Sequence, residues 1–162
     1  MPRDEIVRAL VDGEMLSGWS EPDARHLAQA MMWQEVRDGA MIVEQGAARG
    51  RDTRGAYLIV SGAVDVLTRA GHSTEEVHLA RLGEREWFGV MGLIEEQPRA
   101  ATCRAHGPTA LGVLPRSAFR YLFTQNADVA SRFQVAIAKQ LARDLRRAAT
   151  SLGHGSPLET LG

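Results

Sequence analysis

Between Val36 and Val113 the chain breaks into short apolar runs separated by glycine, and this pattern narrows the fold more than any other feature. A turn signal every 8 to 12 residues or so, with β-branched residues between, is the pattern of a sandwich or barrel. Met41-Ile42-Val43 predicts one strand and Tyr57 to Val60 the next, with Ala63 to Leu67 following Gly62. His72 to Leu82, Ala101 to Ala105 and Ala110 to Leu114 supply the others. Glycines 39, 46, 62, 83 and 89 punctuate this region.

Helical spacing governs both flanks. Ile6, Val7, Leu10 and Val11 predict a short amphipathic helix over Asp4 to Val11, stopped by Gly13. Ser20 is an N-cap candidate with Glu21, Pro22 and Asp23 in the first turn, so a second helix follows with Leu27, Ala30 and Met31 inward. After the strands, Pro115 and Ser117 open a helix carrying Phe119, Leu122 and Phe123, broken at Asn126 to Asp128. Val129, Phe133, Ile137, Leu141 and Leu145 then recur every four residues along a long helix. The chain of 162 residues reads as one domain over residues 1–152: N-terminal helices in 1–34, strands in 35–114, C-terminal helices in 115–152. Residues 153–162 read as a loose tail.

One stretch carries chemistry: Trp87 to Thr102, WFGVMGLIEEQPRAAT. Gly89 lets backbone approach a ligand, the amides of a following short helix offer donors, and Arg99 supplies a forked, permanent positive charge. Ala100 and Ala101 keep the approach open. Those pieces suit a small anion, bound by Gly89, Val90, Met91, Arg99, Ala100 and Ala101.

The stretch resembles the phosphate-binding cassette of cyclic nucleotide-binding domains, the module of catabolite activator proteins, kinase regulatory subunits and gated channels. That cassette is usually spelled FGE, a short apolar run, then PR and two small residues. Phe88, Gly89, Leu93, Pro98, Arg99, Ala100 and Ala101 fit it, and Val90 does not. Glu44-Gln45-Gly46, Tyr57 to Gly62 and the lead-in Leu16 to Ser20 are also similar to the family. The resemblance implies a mainly β fold with flanking helices: a double-stranded β-helix (jelly-roll) barrel, N-terminal helices, and a long C-terminal helix that closes over the ligand and pairs two subunits. It also implies that Arg99 binds a cyclic phosphate, while Val90 stands where the family's acidic residue binds the ribose 2′-hydroxyl. Gln140 to Leu145 resembles the long helix of the catabolite activator. In that register the residues that meet adenine fall on Ala148 and Ala149, with Thr150 and Ser151 just beyond.

Other chemistries find little support. Histidines 72, 78 and 106 lie on or near predicted strands, but a metal-binding jelly roll needs a tight His-x-His with a following Glu, and that spacing is absent. No G-x-S-x-G elbow places a nucleophile beside a base, so no catalytic constellation is expected. The single cysteine, Cys103, excludes an intrachain disulfide and reads as a small, half-buried strand residue. Glu95 and Glu96 are candidates to replace the missing acid, yet sit near the end of the cassette helix, where a solvated face is the ordinary reading. Trp87 reads as an anchor of the barrel. Arg49, Arg51 and Arg54 lie in a hairpin tip and would attract an anion.

A net charge of −1 argues against a surface built for nucleic acid, and Arg143, Arg146 and Arg147 read as a solvated helix face. Residues 153–162 are too few for a helix-turn-helix, so no DNA-binding domain is expected in them. No apolar run approaches the roughly 20 residues of a membrane span, and the charged start MPRDEIVRALVDGE lacks the apolar core of a signal peptide; a cytoplasmic location is expected. The combined expectation is a non-enzymatic sensor of cAMP, cGMP or a related phosphate with weakened or altered binding, dimerising through the helix Ala127 to Ala149. The alternative is a ligand-free domain of the same fold used to dimerise or to dock a protein partner.

Overall fold

The computed structural model describes residues 1–46, 55–71, 73–95 and 98–153. The arginine-rich loop, His72, Glu96 and residues 154–162 lie outside the described residues. In chain order the elements are α1 (Pro2–Asp12), α2 (Glu21–Ala28), β1 (Met32–Val36), β2 (Met41–Val43), β3 (Gly55–Arg69), β4 (Glu76–Leu82), β5 (Trp87–Phe88), a 3-10 turn (Val90–Leu93), β6 (Thr102–Pro115), α3 (Arg116–Gln125) and α4 (Ala127–Gly153). The strands form one antiparallel sheet in the order β1-β6-β3-β4, with β2 on β6 and β5 on β3. It does not close into a barrel among the described residues, so the expected jelly roll is an open, curled sheet carrying helices.

Two strands are longer than the glycine pattern predicts. Gly62 does not end a strand: β3 runs 15 residues through it, pairing with β6 from Gly55↔Pro115 to Leu67↔Thr102. The register shifts around Ser61, and Gly62 has φ +94°, where a Cβ would lie 2.6 Å from the Pro108 carbonyl oxygen and the Thr109 hydroxyl. It is a bulge glycine that bends a continuous strand. The second predicted helix also stops early, at Ala28, and Met32 begins β1, so the strand region starts three residues before the expected boundary. Its start is as read: the Ser20 hydroxyl accepts from the Asp23 amide at 3.3 Å.

The sheet separates two apolar clusters. Consecutive residues of β3 point to opposite faces, so Leu58 joins the helices while Ile59 joins Val43, Val64, Phe88, Cys103 and Leu111 inside the curl. The helical cluster centres on Phe133, fully buried, with Trp19, Trp87 and Phe119 packed around its ring at 5.5 to 6.5 Å. Val129, Ala130, Phe133, Ala136 and Ile137 thus bury the stripe of α4 within the chain itself. Among the described residues no helix is long and apolar enough to cross a membrane.

Candidate functional site

A cavity of about 510 Å³ opens between the inner face of the sheet, the 87–101 stretch and the C-terminal half of α4. All six residues singled out as anion-binding line it: Gly89, Val90, Met91, Arg99, Ala100 and Ala101. Gly89 has φ +74° and caps the 3-10 turn from the left-handed region, a conformation that favours glycine. That reversal turns the chain from β5 into the turn and brings Val90 and Leu93 back against the core.

Arg99 is fixed from two directions. Its carbonyl accepts from the Gly46 amide at 2.8 Å, which ties the end of the β2 loop to the site. Gln45 holds that loop in turn: its amide donates to the Thr102 hydroxyl, and its side chain bonds both the amide and the carbonyl of Arg69. The Arg99 guanidinium donates through Nη1 to the Gly89 carbonyl and through Nη2 to the Gly55 carbonyl, each at 3.1 Å. It lies flat over Gly92, where a Cβ would come within 2.5 Å of Nη1 and 2.8 Å of Cζ. Gly92 therefore belongs to the site, although it reads in the sequence as one small residue of an apolar run; its meaning depends on a side chain seven positions away.

Val90 faces both ways. It lines the cavity, and it is buried in the helical cluster with Leu58, Leu93 and Phe133. Around it the inner wall is apolar, with Val43, Val66, Ala80, Leu82 and Cys103. Burial pushes the Cys103 thiol up to about 11, despite the nearby Arg99 charge, so it stays a neutral wall residue and is more fully buried than its half-buried expectation. Glu95 lines the cavity as well, whereas Trp87 both lines it and packs on Phe133.

The opposite end is built from the long helix expected to close over the ligand, but not through the residues expected to meet a base. Gln140, Leu141, Asp144 and Arg147 of α4 face the cavity, whereas Ala148, Ala149, Thr150 and Ser151 are exposed and do not line it. Glu14, in the turn after α1, meets Arg143 Nε and Arg147 Nη2 at 3.2 Å each. Two arginines of the supposed solvated face thus hold α4 to the rest of the chain; only Arg146 stands apart from this contact. His78 and His106 are on the outer side of the sheet, where they approach Asp65 at 2.9 and 3.4 Å beside Arg81.

The family model described as cyclic nucleotide-binding domain matches residues 33–126 of the chain. The cAMP-dependent protein kinase regulatory subunit of Blastocladiella emersonii is 31% identical over 113 residues, which cover 69% of this chain and 27% of that protein. The chain thus spans just over a quarter of the length of that curated relative. A cyclic nucleotide-binding domain from Methylobacillus flagellatus superposes with a TM-score of 0.80 at 21% identity, over 93% of this chain and 82% of that one. The catabolite activator protein of Thermus thermophilus gives 0.71 at 27% identity, over 85% and 61%.

Proposed function

Because the chain belongs to the cyclic nucleotide-binding domain family, we propose that it is a non-enzymatic regulatory domain whose cavity takes a cyclic nucleotide, cAMP or cGMP, through Arg99 and the backbone from Gly89 to Met91. The carrying observation is the Arg99 guanidinium, lodged against the glycine turn on the wall of a cavity of about 510 Å³, a volume within the range of small-molecule sites. With Val90 at the position of the family's acid, the ribose hydroxyl lacks its charged acceptor. A hydrogen bond to a charged group contributes roughly 1.5 to 3 kcal/mol, so binding is weaker than with the acid by about 10- to 150-fold. Calorimetric titration with cAMP, cGMP and cyclic dinucleotides tests this reading. Binding of either mononucleotide that is lost in Arg99→Ala supports it; silence from a folded protein toward all of them refutes it.

One observation favours the second reading, a ligand-free interaction module: Val90 is integrated into the apolar core, where an acid would be buried. Either reading includes a homodimer through α4, but the stripe that suggested it is already used as far as Leu141, and of its members named above only Leu145 stays exposed. Phe133 and Ile137 are buried in the chain and Leu141 faces the cavity. A different row remains, Val135, Ala138, Ala142, Leu145 and Ala149, alternating three and four apart as in a two-stranded coiled coil. Val135 is 54% exposed and Leu145 71%. Light scattering at tens of micromolar should give a dimer that Leu145→Glu dissociates; a wild-type monomer would exclude this contact.

A further inference from the structure

The polar groups of the cavity are unevenly distributed. The sheet wall of the cavity is lined by Val43, Val66, Ala80, Leu82 and Cys103, Val90 adjoins it from the 3-10 turn, and none of these six side chains carries a strong acceptor. The Cys103 thiol is neutral and weakly polar. Carboxylates and amides line the cavity elsewhere: Glu14, Gln140 and Asp144 from the α1 turn and α4, Glu86 with one oxygen on the Gly83 amide, and Glu95 after the 3-10 turn. A hydroxyl carried beside the anionic group of a ligand therefore enters an apolar surface, losing water without gaining an acceptor. A hydrocarbon flank there gains contact instead.

We infer that the cavity selects anions whose flank at Val90 is hydrocarbon: an apolar organic acid, or among cyclic nucleotides a 2′-deoxy form over its ribose counterpart. The nucleotide arm rests on the reading above, in which position 90 meets the ribose; the organic-acid arm stands on the wall alone. Glu86 and Glu95, four positions before and five after Val90, are the described cavity acids nearest it in sequence; Glu86 already accepts from the Gly83 amide, which leaves Glu95 as the acid that would reverse the preference by reaching the hydroxyl.

The test is calorimetry of the full chain with cAMP, 2′-deoxy-cAMP and naphthalene-1-sulfonate, a single negative charge on a fused hydrocarbon. An unpaired hydroxyl costs about 5- to 150-fold in affinity, so 2′-deoxy-cAMP should bind tighter than cAMP by a factor in that range. Naphthalene-1-sulfonate should bind measurably and lose affinity in Arg99→Lys, which keeps the charge but not the fork. Val90→Thr, close in shape with one added hydroxyl, should narrow the deoxy preference in a protein that still folds. If cAMP is preferred and Glu95→Gln abolishes that preference, the inference fails while the proposed function stands. If only the sulfonate binds, the inference stands and the nucleotide reading fails. If none of the three binds, both fail.

Discussion

The two ends of the cavity are held by different physics. At the glycine turn, Arg99 is gripped by three backbone contacts, its carbonyl accepting from the Gly46 amide and its guanidinium donating to the Gly89 and Gly55 carbonyls, over a glycine whose Cβ would displace that guanidinium. At the other end, α4 is anchored through Phe133 and Ile137, but from Asp144 to Ser151 every residue is exposed, and exposed Glu14 meets partly buried Arg143 and exposed Arg147. Exposed ion pairs contribute little, about 0 to 1 kcal/mol, whereas the grip on Arg99 is backbone geometry that cannot relax without moving strands. In the proposed reading, a charge seat benefits from such pre-organisation and a cover that must admit a ligand benefits from weak fastening.

The largest effect expected of breaking this contrast is at the anchor of α4. Phe133→Ala removes the ring that Trp19, Trp87 and Phe119 surround and should cost about 3 to 5 kcal/mol of unfolding free energy in urea titration. A loss below about 1 kcal/mol would show that α4 is not held there. Gly92→Ala strikes the rigid end. The new methyl must displace the guanidinium from the Gly89 and Gly55 carbonyls, so stability should fall by about 1 to 3 kcal/mol, and a neutral result would mean Arg99 is not seated as described.

A smaller effect is expected from the outer face of the sheet, which serves as a control remote from both ends. The Arg81 guanidinium holds the Asp65 carboxyl down at about 2, below the ordinary value of 3.8, assisted by His78 and opposed by burial. A carboxyl lowered on folding stabilises fully above its unfolded value, and the contribution is lost as pH falls from about 4 through about 2. With solvent screening of this half-exposed cluster, the loss should be about 1 kcal/mol, and Asp65→Asn should remove it from the pH profile of the melting temperature. Smallest of all, Glu14→Gln should change global stability by less than about 1 kcal/mol yet raise amide exchange in residues 143–151. Unchanged exchange there would leave α4 fastened by something other than Glu14.

Legibility in the sequence followed the same division. The glycine turn was readable because its parts are adjacent: Gly89, Val90, Arg99 and the two alanines lie within 13 positions, and a backbone conformation restricted to glycine leaves a mark in the residue itself. Gly92 left none, since the need for a missing Cβ arises only when Arg99 folds over it. The far wall was readable as an element, the long helix, but its cavity-facing residues were not, for another reason. Helical periodicity identifies an apolar stripe but not what covers it, so Phe133 and Ile137 suggested a partner subunit although their own chain covers them. The rotational register of α4, set by Phe133, turns Asp144 and Arg147 toward the cavity and leaves Ala148 to Ser151 in solvent. The strands were legible only in part: β1 and β5 were not read, and β3 and β6 each join two expected strands, because a bulge glycine and a turn glycine look alike until the opposite strand is known.

The central claim is that an anion sits against Arg99 and that Val90 is the missing acceptor beside it. Calorimetric titration of cAMP into wild type, Val90→Glu and Val90→Glu with Arg99→Ala measures that most directly. The account predicts that Val90→Glu tightens cAMP by about 10- to 150-fold and that the added Arg99→Ala erases the gain, since the new carboxylate would face the phosphate without its counter-charge. A folded Val90→Glu protein that binds cAMP no better than wild type would contradict it.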